Sequence, residues 1–118
     1  MVTAGEERQA VSIARTLVDE GLAACVNIVG PIRSVYRWQG AVEDESKHLL
    51  LIKTRATMYK RVEARIAELH SYEVPEVLAV TPSGGSTRYL GWLGESVATR
   101  RSAPAKTARG SGRRRKRG

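Results

Sequence analysis

The chain is 118 residues long, 42% hydrophobic and carries a formal charge of +8 at neutral pH. That length suits one core rather than several, no apolar run approaches the ~20 residues of a membrane span, and a single cysteine, Cys25, excludes an internal disulfide. The charge is unevenly placed: residues 1–97 hold 11 Lys and Arg against 12 Asp and Glu, whereas residues 98–118 hold 9 basic residues and no acid.

The opening "MVTAGEERQA" has neither the basic nor the apolar region of a secretion signal, and an unpaired cysteine agrees with a reducing compartment. The expected location is the cytoplasm. The closing "ATRRSAPAKTARGSGRRRKRG" shows no apolar period, so the expected organisation is a folded domain over 1–97 and a disordered basic tail over 98–118. Such a run is ordinarily a solubilising end. The sharper alternative is weak, salt-sensitive contact with nucleic-acid phosphates or an anionic membrane.

Taken in chain order, residues 6–20 predict an amphipathic helix, with Ala10, Ile13, Ala14, Leu17 and Val18 on one stripe and Gly21 as its stop. "LAACVNIV" predicts a strand that Gly30-Pro31 ends. "IRSVYRW" then alternates, and Gln39-Gly40 turns the chain into a returning strand. The centre of that strand, Leu49-Leu50-Leu51-Ile52, does not alternate and needs cover on both faces. A second helix is predicted over 57–69, with Tyr59, Val62, Ile66 and Leu69 inward. After "HSYEVP", "EVLAV" predicts a strand, since Pro75 pushes Val74 to extended backbone. Ser86 is placed to cap a last helix that turns Tyr89, Leu90, Leu93 and Val97 inward.

The order (β)αββαβα, with two right-handed crossovers, predicts an α+β, ferredoxin-like fold: an antiparallel sheet with helices on one face. A strand that is apolar on both sides then calls for a second molecule on the open face. The sequence argues for an oligomer.

"LAACVNIV", "SVYRWQGAVEDE", "LLIKTR", "HSYEVPEVLAV" and "YLGWL" together resemble the CutA family, the divalent-cation tolerance proteins, over residues 2–97. The resemblance implies a homotrimer in which a hairpin near 32–52 reaches onto neighbouring subunits, a role in cation tolerance with copper or another divalent cation, and no catalytic reaction. The chain departs from the family pattern twice. Only Met1-Val2 precede Thr3-Ala4, so the expectation is either a chain shortened at its start or a heavy dependence on trimer contacts; the basic tail is the other departure.

Copper ligands suggested for the family are a cysteine in the first strand and two adjacent histidines after the second helix. Those places hold Val2, Leu69 and His70 here, which leaves one candidate of three. The inventory of soft donors is Cys25, His48 and His70, without the paired spacing of a closed metal site. Cys25 reads as a small residue in a packed sheet or interface, and His48 as a strand-edge polar residue.

His70 reads first as the end of a helix, where an imidazole favours the negative end of the dipole, and second as a metal ligand with Glu73 or Glu76. The candidate metal contacts are therefore His70 and Glu73. Glu73 and Glu76 flank Pro75 and do not reliably converge on one substrate, so acid–base catalysis is not indicated. Tyr36, Trp38 and Trp92 are read as packing, with a small-molecule cleft as the alternative. A second functional reading is a signalling trimer analogous to PII-type regulators, with Gly84-Gly85-Ser86 as an anion-binding loop.

Overall fold

The computed structural model describes residues 1–97; the expected basic tail, 98–118, lies outside the described residues. The described elements are β1 (Val2–Ala4), α1 (Glu7–Asp19), β2 (Cys25–Trp38), β3 (Ala41–Lys53), a 3₁₀ turn at Ala56–Met58, α2 (Tyr59–Leu69) and α3 (Thr87–Glu95). The strands form one antiparallel sheet in the order β1-β3-β2.

Helix α1 buries Ala10, Ile13, Ala14 and Leu17, and Gly21 takes the left-handed φ of 74° that a chain reversal just after a helix requires. Val18, expected on that stripe, is 43% exposed because it sits on the flank of a face already filled by Leu17. Arg65 on α2 ties the end of α1 to itself through a two-pronged ion pair with Glu20, both contacts at 2.8 Å. Val62 and Ile66 of α2 complete a core with Ile13, Leu17, Val2 and Leu50.

The β2–β3 hairpin dominates the sheet. Its two-residue turn, Gln39-Gly40, has positive φ at both positions (51° and 84°), the geometry whose twist suits paired strands. Gly30-Pro31 does not end the strand as expected. The ladder is interrupted between Val29 and Ile32 and then resumes with Ile32 opposite Lys47, so one long strand replaces two short ones. A side chain at Gly30 would lie 2.5 Å from Cδ2 of His48, so only glycine fits this close crossing.

Strand alternation sorts β3 into two faces. Leu50 is fully buried and Ile52 packs beside it against the helices, whereas Leu49 and Leu51 stay half-exposed. Their cross-strand partners Val29 and Asn27 are exposed as well. The face opposite α1 is thus apolar and uncovered within one chain.

Two expectations need correction. Residues 76–80 make only an isolated bridge, Val77 to Val2, with Leu78 N–H donating to the Met1 carbonyl at 3.0 Å. Their sole neighbour, β1, is three residues long and offers too few ladder positions for a full strand. In α3, Ser86 caps as expected, accepting from Tyr89 N–H at 3.0 Å, and Val97 is buried. Tyr89 and Leu90, however, are 40% and 44% exposed, because α3 meets the core only near its end at Leu93, and the expected Val97 lies just beyond the helix.

Candidate functional site: the cleft beside the His70 corner

His70 sits where α2 ends, its own N–H still bonded to the Ile66 carbonyl at 2.8 Å. The ring is buried and uses both nitrogens. Nε2–H donates to the Thr3 carbonyl at 2.7 Å, and Nδ1 accepts from Tyr72 N–H at 3.1 Å. The imidazole therefore pins the helix end to β1 and shapes the turn that follows; it does not stand free at the dipole. The Tyr72 ring packs on it at 4.7 Å, and the Tyr72 hydroxyl fills the space over Gly5, where any Cβ would come within 2.7 Å.

Beyond this corner the chain borders a cleft of about 910 Å³ on the uncovered sheet face. Register places Ser34 opposite Glu45 and Tyr36 opposite Glu43, and alternation puts these on the same side as Lys47. Residues 71–76 form the other wall, including Tyr72, Glu73, Pro75 and Glu76. Lys47 is only 8% exposed. Its ammonium lies 4.1 Å from the centre of the Tyr36 ring and 5.1 Å from that of Tyr72, within reach of cation–π attraction.

Tyr36 donates its hydroxyl to Glu45 at 3.1 Å. Burial, reinforced by that hydrogen bond and the Glu45 charge, raises the Tyr36 phenol above its ordinary value. Burial and the same carboxylate raise Tyr72. At the rim, Arg33 grips Asp44 with two contacts of 2.9 and 2.7 Å and holds the Asp44 carboxyl below its usual range.

The donors expected for a metal do not assemble within one chain. Glu73 is exposed on the cleft, while the His70 ring points into the corner and binds β1. Cys25 pairs with Lys53 at the end of β3, about 17 Å along the strand from the mid-strand His48 at ~3.4 Å per residue. His48 is not on an edge: β3 is the central strand, and Nδ1 of His48 is buried without a partner beneath the Gly30 crossing. Among the described residues no group of three His, Cys, Asp or Glu stands together. Within one chain the described residues thus bring no set of copper ligands together. Gly84 and Gly85 are exposed, and the loop's one observed task is the Ser86 cap.

Sequence reasoning missed Lys47. Its only signal is a charge sharing a face with Leu49 and Leu51 where the strand turns from its acidic stretch to its apolar run, and the covering Tyr72 arrives from a distant loop.

Residues 1–96 match the family model described as CutA1 divalent ion tolerance protein. The chain belongs to the CutA1 family. It is 44% identical over 97 residues to the divalent-cation tolerance protein CutA of Thermus thermophilus, covering 82% of this chain and 94% of that protein. The solved Thermus thermophilus structure superposes with a TM-score of 0.80 at 43% identity, over 82% of this chain and 94% of that one. The chloroplastic CutA of Arabidopsis thaliana is 44% identical over 96 residues, which is 81% of this chain but about half (53%) of that protein. A structure named as the periplasmic divalent cation tolerance protein CutA of Archaeoglobus fulgidus matches with a TM-score of 0.78 at 34% identity, over 80% of this chain and 92% of that one. These CutA1 relatives are named for different compartments. No helix among the described residues is long and apolar enough to cross a membrane.

Proposed function

We propose that this chain is a non-catalytic, cytoplasmic, homotrimeric divalent-cation tolerance protein built on a ferredoxin-like subunit. The observation that carries the reading is the uncovered sheet face, where Leu49, Leu51 and Val29 keep apolar surface towards solvent although the other face of β3 is packed. Two open edges add to it. The outer edge of β2 is 14 residues long and unpaired among the described residues, and residues 76–80 leave Leu78 and Val80 at 54% and 70% exposure. Long open edges invite pairing, and a head-to-tail contact between two different surfaces closes into a ring when its rotation allows. The threefold number comes from the family likeness.

Cation binding in this reading is weak and shared between subunits. One chain contributes Glu73, and His70 joins only by giving up the Tyr72 N–H on Nδ1; a neighbouring subunit supplies the remaining donors. The nine basic residues of 98–118 add a salt-sensitive contact with phosphates. Native mass measurement with and without copper tests the proposal. A trimer that gains copper supports it, and a monomer in dilute solution overturns it.

A further inference from the structure

Helix α3 has little hold on its own chain. It has nine residues, two interior glycines (Gly91 and Gly94) and no buried side chain. A helix of that length is marginal in water by itself, and each glycine weakens it by about 1 kcal/mol relative to alanine. The Ser86 cap fastens one end, and the Nε–H that Arg55 donates to the Gly94 carbonyl at 2.9 Å fastens the other. Leu93 touches the core. The rest of the apolar stripe, Tyr89, Leu90 and Trp92, is 40%, 44% and 46% exposed, with the Tyr89 and Trp92 rings 5.6 Å apart. Most helix stability comes from packing of the apolar face, and this chain supplies little of it.

The position of α3 points to the missing cover. Leu93 joins the core between sheet and helices, so α3 lies on the helix side of its own sheet. It also follows closely on residues 76–80, one of the two open sheet edges. When that edge meets the open β2 edge of a second copy, the two helix layers adjoin, and α3 comes over the β2 side of the second copy's α1. That side is apolar and bare. Glu20 marks the flank of α1 that meets α2 through Arg65. Val11 and Val18 fall on the opposite flank by the 3.6-residue period and are 39% and 43% exposed. Ile28, paired opposite Leu50 and therefore on the helix side of β2, is 36% exposed.

We propose that α3 is an intersubunit helix, whose Tyr89, Leu90 and Trp92 face packs on the Val11, Val18 and Ile28 flank of a second copy of this chain. The proposal rests on the assembly reading above and names a contact outside the open sheet face. It also gives the apolar pattern of α3 its use: the stripe turns inward, towards the inside of the assembly.

The experiment uses the full-length chain with Cys25→Ser, so that no native thiol reacts. Val18→Cys and Leu90→Cys versions are produced together and treated with a short bis-maleimide. A covalent two-chain product is expected from the mixture and from neither version alone. Trp92→Ala, at an exposed position, should leave the circular-dichroism spectrum of the subunit largely intact. It should raise the concentration of half-assembly, read by native mass, at least about tenfold, the scale of a buried aromatic anchor. If Trp92→Ala does not fold, the covalent product decides. An intact trimer without that product leaves the α3 face to a lipid surface or a different protein and overturns the proposal, as does a trimer unmoved by Trp92→Ala; in both cases the assembly reading stands. A monomer overturns both readings, so the two failures are told apart.

Discussion

Replacing His70 with alanine separates a structural imidazole from a metal-binding one. The side chain is 8% exposed and holds two hydrogen bonds, to the Thr3 carbonyl and from Tyr72 N–H. Two such bonds contribute about 0.5–1.5 kcal/mol each, and a buried partner left without water costs somewhat more. Loss of the ring that packs on Tyr72 adds a small cavity, so the expected total is about 2–4 kcal/mol. For a body of this size that corresponds to a fall in melting temperature on the order of 10–30 °C. The assay is thermal unfolding at fixed protein concentration, because assembly makes the midpoint concentration-dependent. His70→Gln, whose amide can still donate to the Thr3 carbonyl, should recover part of the loss. A His70→Ala variant melting within about 2 °C of the wild type, well under 1 kcal/mol on that scale, would refute the structural role and return the ring to the ligand reading.

Gly30→Ala should destabilise by about 1–3 kcal/mol through the 2.5 Å approach to His48, and His48→Ala in the same chain should relieve much of it; strictly additive losses in urea unfolding would contradict the close crossing. Arg65 donates to Glu20 and thereby lowers its carboxyl below the ordinary 4.5. A depressed folded-state value means the contribution is present above the unfolded value and is lost as pH falls through the folded one. Glu20→Gln should therefore cost at most ~1 kcal/mol at pH 7, the pair being partly solvent-exposed, and progressively less below pH 4.5; an undiminished cost in strong acid counts against the pairing. Leu51→Glu should leave the circular-dichroism spectrum of the subunit intact while lowering the assembled mass, since Leu51 faces away from the core. Deletion of residues 98–118 should abolish low-salt retention on immobilised DNA, and unchanged retention ends the idea of a phosphate-binding tail.

The helices were legible because their signal is local. The spacing of Ala10, Ile13 and Leu17 or of Val62 and Ile66 depends only on 3.6 residues per turn, and the structure buries all five. The Gly21 stop and the Ser86 cap follow from backbone rules that act within a few residues. Strand limits were less legible. Gly30-Pro31 carries a local breaking signal, yet the ladder to β3 resumes beyond it because residues pair on both sides of the interruption, from Cys25–Lys53 to Val29–Leu49 and from Ile32–Lys47 to Trp38–Ala41. Residues 76–80 show the converse: a strong strand composition with hardly any neighbour to pair with. In the candidate site, His70 and Glu73 were visible as residue types, but one of the two hydrogen bonds that occupy the His70 ring goes to the Thr3 carbonyl, 67 residues away.

By itself the sequence determined the periodic elements, the division of charge between residues 1–97 and 98–118, and the doubly apolar run at 49–52, since each is a property of neighbours along the chain. Tertiary structure decided which of those leucines meets the helices and which meets solvent, what His70 holds, and that Lys47 lies beside the Tyr36 and Tyr72 rings. Those outcomes rest on contacts between segments far apart in sequence, and such contacts exist only once the sheet register has been set.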